Sequence, residues 1–286
     1  MLAGPSGLPE TSVMRLATTR VVAVPPTVTV KGLIDTMTRY GFRRLPIIEP
    51  ERESLVGLVT GRDVLDYLAG ERRELLDRRY DGNFLLGLHE PARSIMTTDV
   101  YVVTPYDTVR KAVRTMFELD VGALPVVEDR DRLVGIITER DVAMDLYRVL
   151  EDERVEDLMT PDPETVEPGT TILEAVRTML RRGFRRLPVV KGGRLQGIVT
   201  MTDVLHHVSS QATEGRAADR VEDVLSEPVE SIMTEDVITV EPETDAEEAV
   251  LTMRGANVGS LVVVEGGELV GIITERDVVH AIAERL

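Results

Sequence analysis

Ten residues, LVGIITERDV, occupy positions 133–142 and recur unchanged at 269–278. Two relatives of this stretch, LVGLVTGRDV at 55–64 and LQGIVTMTDV at 195–204, complete a set of four. Four copies of one segment demand a fold built from four like units, a tighter constraint than composition supplies. An apolar run precedes each copy: RRLPII (43–48), GALPVV (122–127), RRLPVV (185–190) and GSLVVV (259–264). Three copies also carry an upstream marker, SIMT (94–97), DLMT (157–160) and SIMT (231–234); Leu16-Ala17-Thr18 stands in that place in the first. A second period lies above the first. GFRRLP occurs at 41–46 and 183–188, and Val-Gly-x-Leu at 121–124 and 258–261, offsets of 142 and 137 residues. The duplicated unit is therefore a pair of modules.

Each module reads locally as β-α-β-β-α, an α/β (α+β) unit. In the second, VYVV (100–103) predicts a short strand. TVRKAVRTMFELD (108–120) predicts a helix with Val109, Ala112, Val113 and Met116 on one face. GALPVVE and DRLVGIIT predict a hairpin turning at Asp129-Arg130-Asp131, and ERDVAMDLYRVL (139–150) opens a last helix. Glu265-Gly266-Gly267 is a still better hairpin connection. So few strands with such apolar faces are unstable alone, so the modules are expected to pair.

The chain has no cysteine, which excludes disulfides, thiolate metal sites and a cysteine nucleophile. A net charge of −17 argues against nucleic acid as the main partner, because phosphate contacts need a clustered positive surface. Of the basic residues only Lys31, Lys111 and Lys191 are lysines. A high-salt cytoplasm and a GC-rich genome would each produce that bias, and an acidic, lysine-poor chain is consistent with a halophilic source. No apolar run approaches the roughly 18 residues of a membrane helix, and the N-terminus does not read as a secretory signal. No membrane insertion and a cytoplasmic location are expected.

Segments of this kind, with x-Met-Thr at the start, (G/R)xLPVV in the middle and LVGIITxxDV near the end, resemble CBS domains, named after cystathionine β-synthase. The resemblance divides the chain into a flexible N-terminal tail (1–12), CBS 1 (13–70), an ordered or partner-docking connection (71–91), CBS 2 (92–150), CBS 3 (151–210), a connection (211–228) and CBS 4 (229–286). It implies two Bateman modules, each a pair of CBS domains, in a flat disc. It also implies a regulatory protein whose clefts bind AMP, ADP, ATP or S-adenosylmethionine. Such a protein modulates a partner, an enzyme or transporter, and could itself form a homodimer. The alternative is a ligand-free scaffold for oligomerisation or protein–protein interaction.

Within the repeats, Thr60/Asp63, Thr138/Asp141, Thr200/Asp203 and Thr274/Asp277 form a Thr-x-x-Asp element where the last strand becomes the last helix. It has two readings. A helix cap would use the pair to satisfy orphan amides; a ribose clamp would use the carboxylate on cis hydroxyls. The family resemblance favours the clamp. By the same resemblance Arg43, Arg44, Arg185 and Arg186 bind phosphate, for which guanidinium is suited. Gly122-Ala123 and Gly259-Ser260 hold the corresponding places in modules two and four, leaving room. By family position, Val100, Tyr101, Val121, Gly122, Val237 and Ile238 are the candidates for an adenine slot. No metal site is expected: His206 and His207 are adjacent and point about 100° apart on a helix, without an obvious third ligand. No nucleophile–base pair, Walker loop or GxGxxG is present, so no catalytic residue and no enzyme activity are expected.

Overall fold

The structure, a computed structural model, describes residues 11–129, 131–213 and 219–286. The tail expected over 1–12 lies outside the described residues up to residue 10, as does Arg130 of the predicted turn. Ser12, by contrast, is buried and donates to the Pro105 carbonyl at 2.6 Å.

In chain order the modules supply α1 (Val30–Tyr40), β1 (Arg44–Glu49), β2 (Ser54–Thr60), α2 (Gly61–Ala69); α3 (Val109–Glu118), β3 (Ala123–Glu128), β4 (Arg132–Thr138), α4 (Glu139–Leu146); α5 (Ile172–Arg182), β5 (Arg186–Lys191), β6 (Arg194–Thr200), α6 (Met201–Thr213); and α7 (Ala246–Ala256), β7 (Ser260–Glu265), β8 (Glu268–Thr274), α8 (Glu275–Arg285). Threonine hydroxyls start three of the four leading helices: Thr29, Thr108 and Thr171 accept the amides of Gly32, Lys111 and Glu174. Gly41, Gly183 and Asn257 end α1, α5 and α7 in the left-handed conformation that stops a helix. Every hairpin is antiparallel and bulges at the same place, leaving Val56, Val134, Gln196 and Val270 without a partner across the ladder. Gly192-Gly193 and Gly266-Gly267 take positive φ at both positions, as tight hairpin turns require.

The strand expected over VYVV shrinks to one parallel bridge, Val103 to Val126. Val103 donates to the Pro125 carbonyl and accepts from Val127, bracketing Val126, and the adjoining Pro125 has no amide to extend the ladder.

Modules pair by exchanging their entry segments. Thr18 of module one bridges Ile136 of module two, and Thr97 of module two bridges Leu58 of module one; Thr234 of module four likewise bridges Ile198, while Thr160-Pro161 of module three pairs with β8. The Met-Thr marker thereby gains a physical meaning. A Cβ on Gly57 would fall 2.7 Å from the Met96 sulfur, and one on Gly197 2.7 Å from the Met233 sulfur. In modules one, three and four the glycine of LVG or LQG is the seat of the neighbouring module's methionine; in module two a Cβ on Gly135 would meet the Thr18 carbonyl at 3.3 Å instead.

The cores run the other way. One unites modules one and three through Leu33, Leu65, Met179 and Val204; the other unites two and four through Val113, Val142, Met253 and Val278. Four modules thus close a ring, joined alternately by sheets (1–2, 3–4) and by helices (1–3, 2–4). The 71–91 connection folds into helices at Arg73–Tyr80 and Phe84–Gly87, and buries Leu76, Phe84 and Leu88 in the first core.

Candidate functional site

All four Thr-x-x-Asp elements cap their helices. Asp63, Asp141, Asp203 and Asp277 each receive the backbone amide and hydroxyl of the paired threonine on Oδ2, at 2.7–2.8 Å. Each donates its own amide back to the threonine hydroxyl. A cap built through Oδ2 leaves Oδ1 for other work. At Asp63 that oxygen is taken by Arg72, 3.3 Å away. Among the described residues no hydrogen bond or ion pair engages Oδ1 of Asp141 or Asp277. Burial pushes the Asp141, Asp203 and Asp277 carboxyls above their ordinary pKa, against the pull of the threonine contacts.

Two clefts open at the sheet-joined boundaries. The cleft between modules one and two, about 360 Å³, brings Arg43 and Arg44 to face Thr138 and Asp141. Its counterpart between modules three and four, about 300 Å³, sets Arg185 and Arg186 against Thr274 and Asp277. Each cleft takes its Arg-Arg pair from one module and its aspartate from the other. Thr60, Asp63, Thr200 and Asp203 line neither.

The arginines are unequal. Arg44 donates only to the Gly122 carbonyl, and among the described residues Arg186 has no hydrogen bond or ion pair. Burial first, then neighbouring arginines, lowers both to about 10, still charged at neutral pH. Arg43 and Arg185 reach across the ring instead. Arg43 Nη1 meets Glu275 Oε2 at 2.7 Å and Arg140 Nη1 meets Oε1 at 3.0 Å. Arg185 Nη1 meets Glu139 Oε2 at 2.7 Å and Arg276 Nε meets Oε1 at 2.9 Å. Burial opposes ionisation of Glu139, but Arg185 and Arg276 outweigh it and hold the carboxyl at about 2. The glycines of modules two and four admit these crossing guanidiniums: a Cβ on Gly122 or Gly259 would lie 2.6 Å from Nη2 of Arg185 or Arg43.

Residues 13–70, 92–147, 155–210 and 229–284 match the family model of the CBS domain. The chain belongs to the CBS domain family. Among its relatives, this CBS protein is 35% identical to MJ1225 of Methanocaldococcus jannaschii, over 95% of this chain and 99% of that one. It is 34% identical to a 33.4 kDa protein of Thermofilum pendens, over 90% and 86%. The crystal structure of MJ1225, put forward as an archaeal homologue of γ-AMPK, superposes with a TM-score of 0.89 over 95% and 99% of the two chains. A conserved protein of Pyrococcus horikoshii, 25% identical, superposes at 0.61 over 95% and 99%.

Of the adenine-slot candidates in this CBS protein, Val100, Tyr101, Val121, Gly122, Val237 and Ile238 line neither cleft. The corresponding entry segments of modules one and three do, through Thr18, Val21 and Val22 and through Thr160 and Pro163. Tyr101 is half exposed, and Gly122 serves as the floor under Arg185. His207 is buried with Nε2 2.8 Å from the Val224 carbonyl. Among the described residues no group of three or more His, Cys, Asp or Glu could hold a metal, and no helix is long and apolar enough to cross a membrane.

Glu139, Glu275, Arg140 and Arg276 were not singled out from sequence, although a signal exists. The Glu-Arg of Thr-Glu-Arg-Asp appears only in modules two and four, whereas the Arg-Arg pairs appear only in one and three. Complementary charges on alternate copies point to contact between copies.

Proposed function

We propose that the chain is a regulatory sensor binding one adenosine-containing ligand in each of the two clefts. The observation that carries this reading is the meeting of Asp141 with Arg43-Arg44, and of Asp277 with Arg185-Arg186. The free Oδ1 is set for the cis hydroxyls of ribose, and the arginine pair for phosphate. The entry-segment residues beside them, Thr18 to Val22 and Thr160 to Pro163, offer backbone groups and an apolar wall to the base. A cleft lined by unpaired Arg186 favours AMP, ADP or ATP over S-adenosylmethionine, whose sulfonium adds positive charge. Asp63 and Asp203 act in this reading as caps alone.

The likeness to MJ1225, put forward as a γ-AMPK homologue, supports a subunit that reports nucleotide state to a partner protein. Such reporting requires the ligand to bind two conformations unequally. Calorimetry of the full chain with AMP, ADP, ATP and S-adenosylmethionine tests the reading. Two sites per chain are expected, abolished by Asp141→Asn with Asp277→Asn and retained in Asp63→Asn with Asp203→Asn. Absence of binding by all four ligands overturns it.

A further inference from the structure

Glu139 and Glu275 are nearly fully buried, with side chains 5% and 3% exposed, yet each lies at the first helical position after its threonine rather than in a core. Each spends both carboxylate oxygens on two arginines from two different modules. That is the geometry by which two oxygens of a phosphate bridge guanidiniums. Arg43 and Arg140 line the cleft of Asp141, and Arg185 and Arg276 line that of Asp277. Two of the three arginines these elements bring to each cleft, Arg43 and Arg140 or Arg185 and Arg276, are therefore already engaged by one shared glutamate from within the protein. Arg44 and Arg186, which carry no carboxylate, remain for a ligand.

We propose that Glu139 and Glu275 are specificity residues, built-in anions that restrict the clefts to ligands carrying a single phosphate. A first phosphate takes Arg44 or Arg186. A second or third has to draw Arg43 and Arg140, or Arg185 and Arg276, off their glutamate, and strands a buried carboxylate without its counter-charge. The penalty grows with phosphate number, so AMP is selected over ATP. Modules one and three place Gly61 and Met201 where the glutamates stand, and so supply no such anion. This inference rests on the nucleotide reading above for the identity of the ligand, though not for the action of the glutamates on polyphosphate.

The test is calorimetry of the full chain with AMP, ATP and inorganic tripolyphosphate, comparing wild type with Glu139→Gln, Glu275→Gln and the charge-keeping Glu275→Asp. Each glutamine variant should bind ATP and tripolyphosphate about tenfold or more tightly than wild type, the worth of one freed charge-assisted contact, with AMP much less affected. Glu275→Asp should keep the preference of wild type. If AMP binds and the ATP-to-AMP ratio of both folded glutamine variants stays within about threefold of wild type, the glutamates only neutralise buried arginines and the proposal falls. Should a glutamine variant fold but be too unstable for calorimetry, tripolyphosphate must raise its thermal midpoint more than that of wild type; failure to do so also overturns the proposal. If no adenosine compound binds any form but the tripolyphosphate gain appears, the nucleotide reading falls and the selectivity device stands.

Discussion

At the scale of single residues, one aspartate stands at two features at once. Oδ2 of Asp277 closes a helix cap, and the residue lines the cleft together with Arg186. An asparagine keeps an acceptor for the cap and removes a charge that burial disfavours. Asp277→Asn should thus change the unfolding free energy by less than about 1 kcal/mol, while weakening nucleotide binding at that cleft at least tenfold, to roughly the extent of a lost charge-assisted contact. Denaturant melts and calorimetry on one preparation separate the two effects. Glu139 behaves oppositely. Its carboxyl is held at about 2, below the ordinary 4.5, so its ionisation favours the folded state. That contribution is complete above pH 4.5 and disappears as pH falls towards 2. The acid limb of the stability curve should accordingly be shallower in Glu139→Gln, as acid titration followed by circular dichroism would show. The sequence makes the Thr-x-x-Asp pairs and the arginines visible because they recur in register. It does not separate cap from clamp, since both need the same two side chains. Nor does it show that Asp63 is engaged by Arg72 while Asp141 is not, which depends on a connection that repeats nowhere else.

At the scale of elements, the hairpins are held by an exchange between neighbours. In modules one, three and four the glycine of the LVG or LQG motif is fixed by the methionine that lies on it, so Gly197→Ala would drive a methyl to 2.7 Å from the Met233 sulfur and 2.9 Å from the Thr234 carbonyl. The expected cost is about 1–3 kcal/mol, typical of overpacking. Met233→Ala should cost less in the Gly197→Ala background than alone, and a double-mutant cycle by chemical denaturation measures that coupling. Helices and hairpins were legible because their periods, caps and glycine turns are local. The first strand of module two was not. Its alternation is real, but a ladder also needs a neighbour with amides to offer, and Pro125 has none. The adenine-slot candidates stand outside the two clefts for a similar reason: all four entry segments look alike, yet the two clefts described here use those of modules one and three, which are set by the partner across the sheet.

At the scale of the whole molecule, repetition announced the four modules and their pairing, but not which modules share a core. Apolar faces on α1, α5 and α6 carry no mark of which partner they meet; complementarity of shape between segments far apart decides it. The consequence can be checked by cutting the chain between its halves, at residues 148–154. Each half then exposes one side of both cores, so the halves should co-purify as a 1:1 complex when expressed together. Either half alone should self-associate, because the faces it loses are near copies of its own; light scattering after gel filtration reads both outcomes. Cores shared between alternate modules also impose a timetable on synthesis. A growing chain leaves the ribosome with modules one and two formed in sequence but with the helical faces of both uncovered. The first core receives its last partner only when Val229 emerges, and the second only when α8 does. For most of its translation this protein carries at least one open apolar surface, so its nascent form should depend on chaperones far more than its finished ring does.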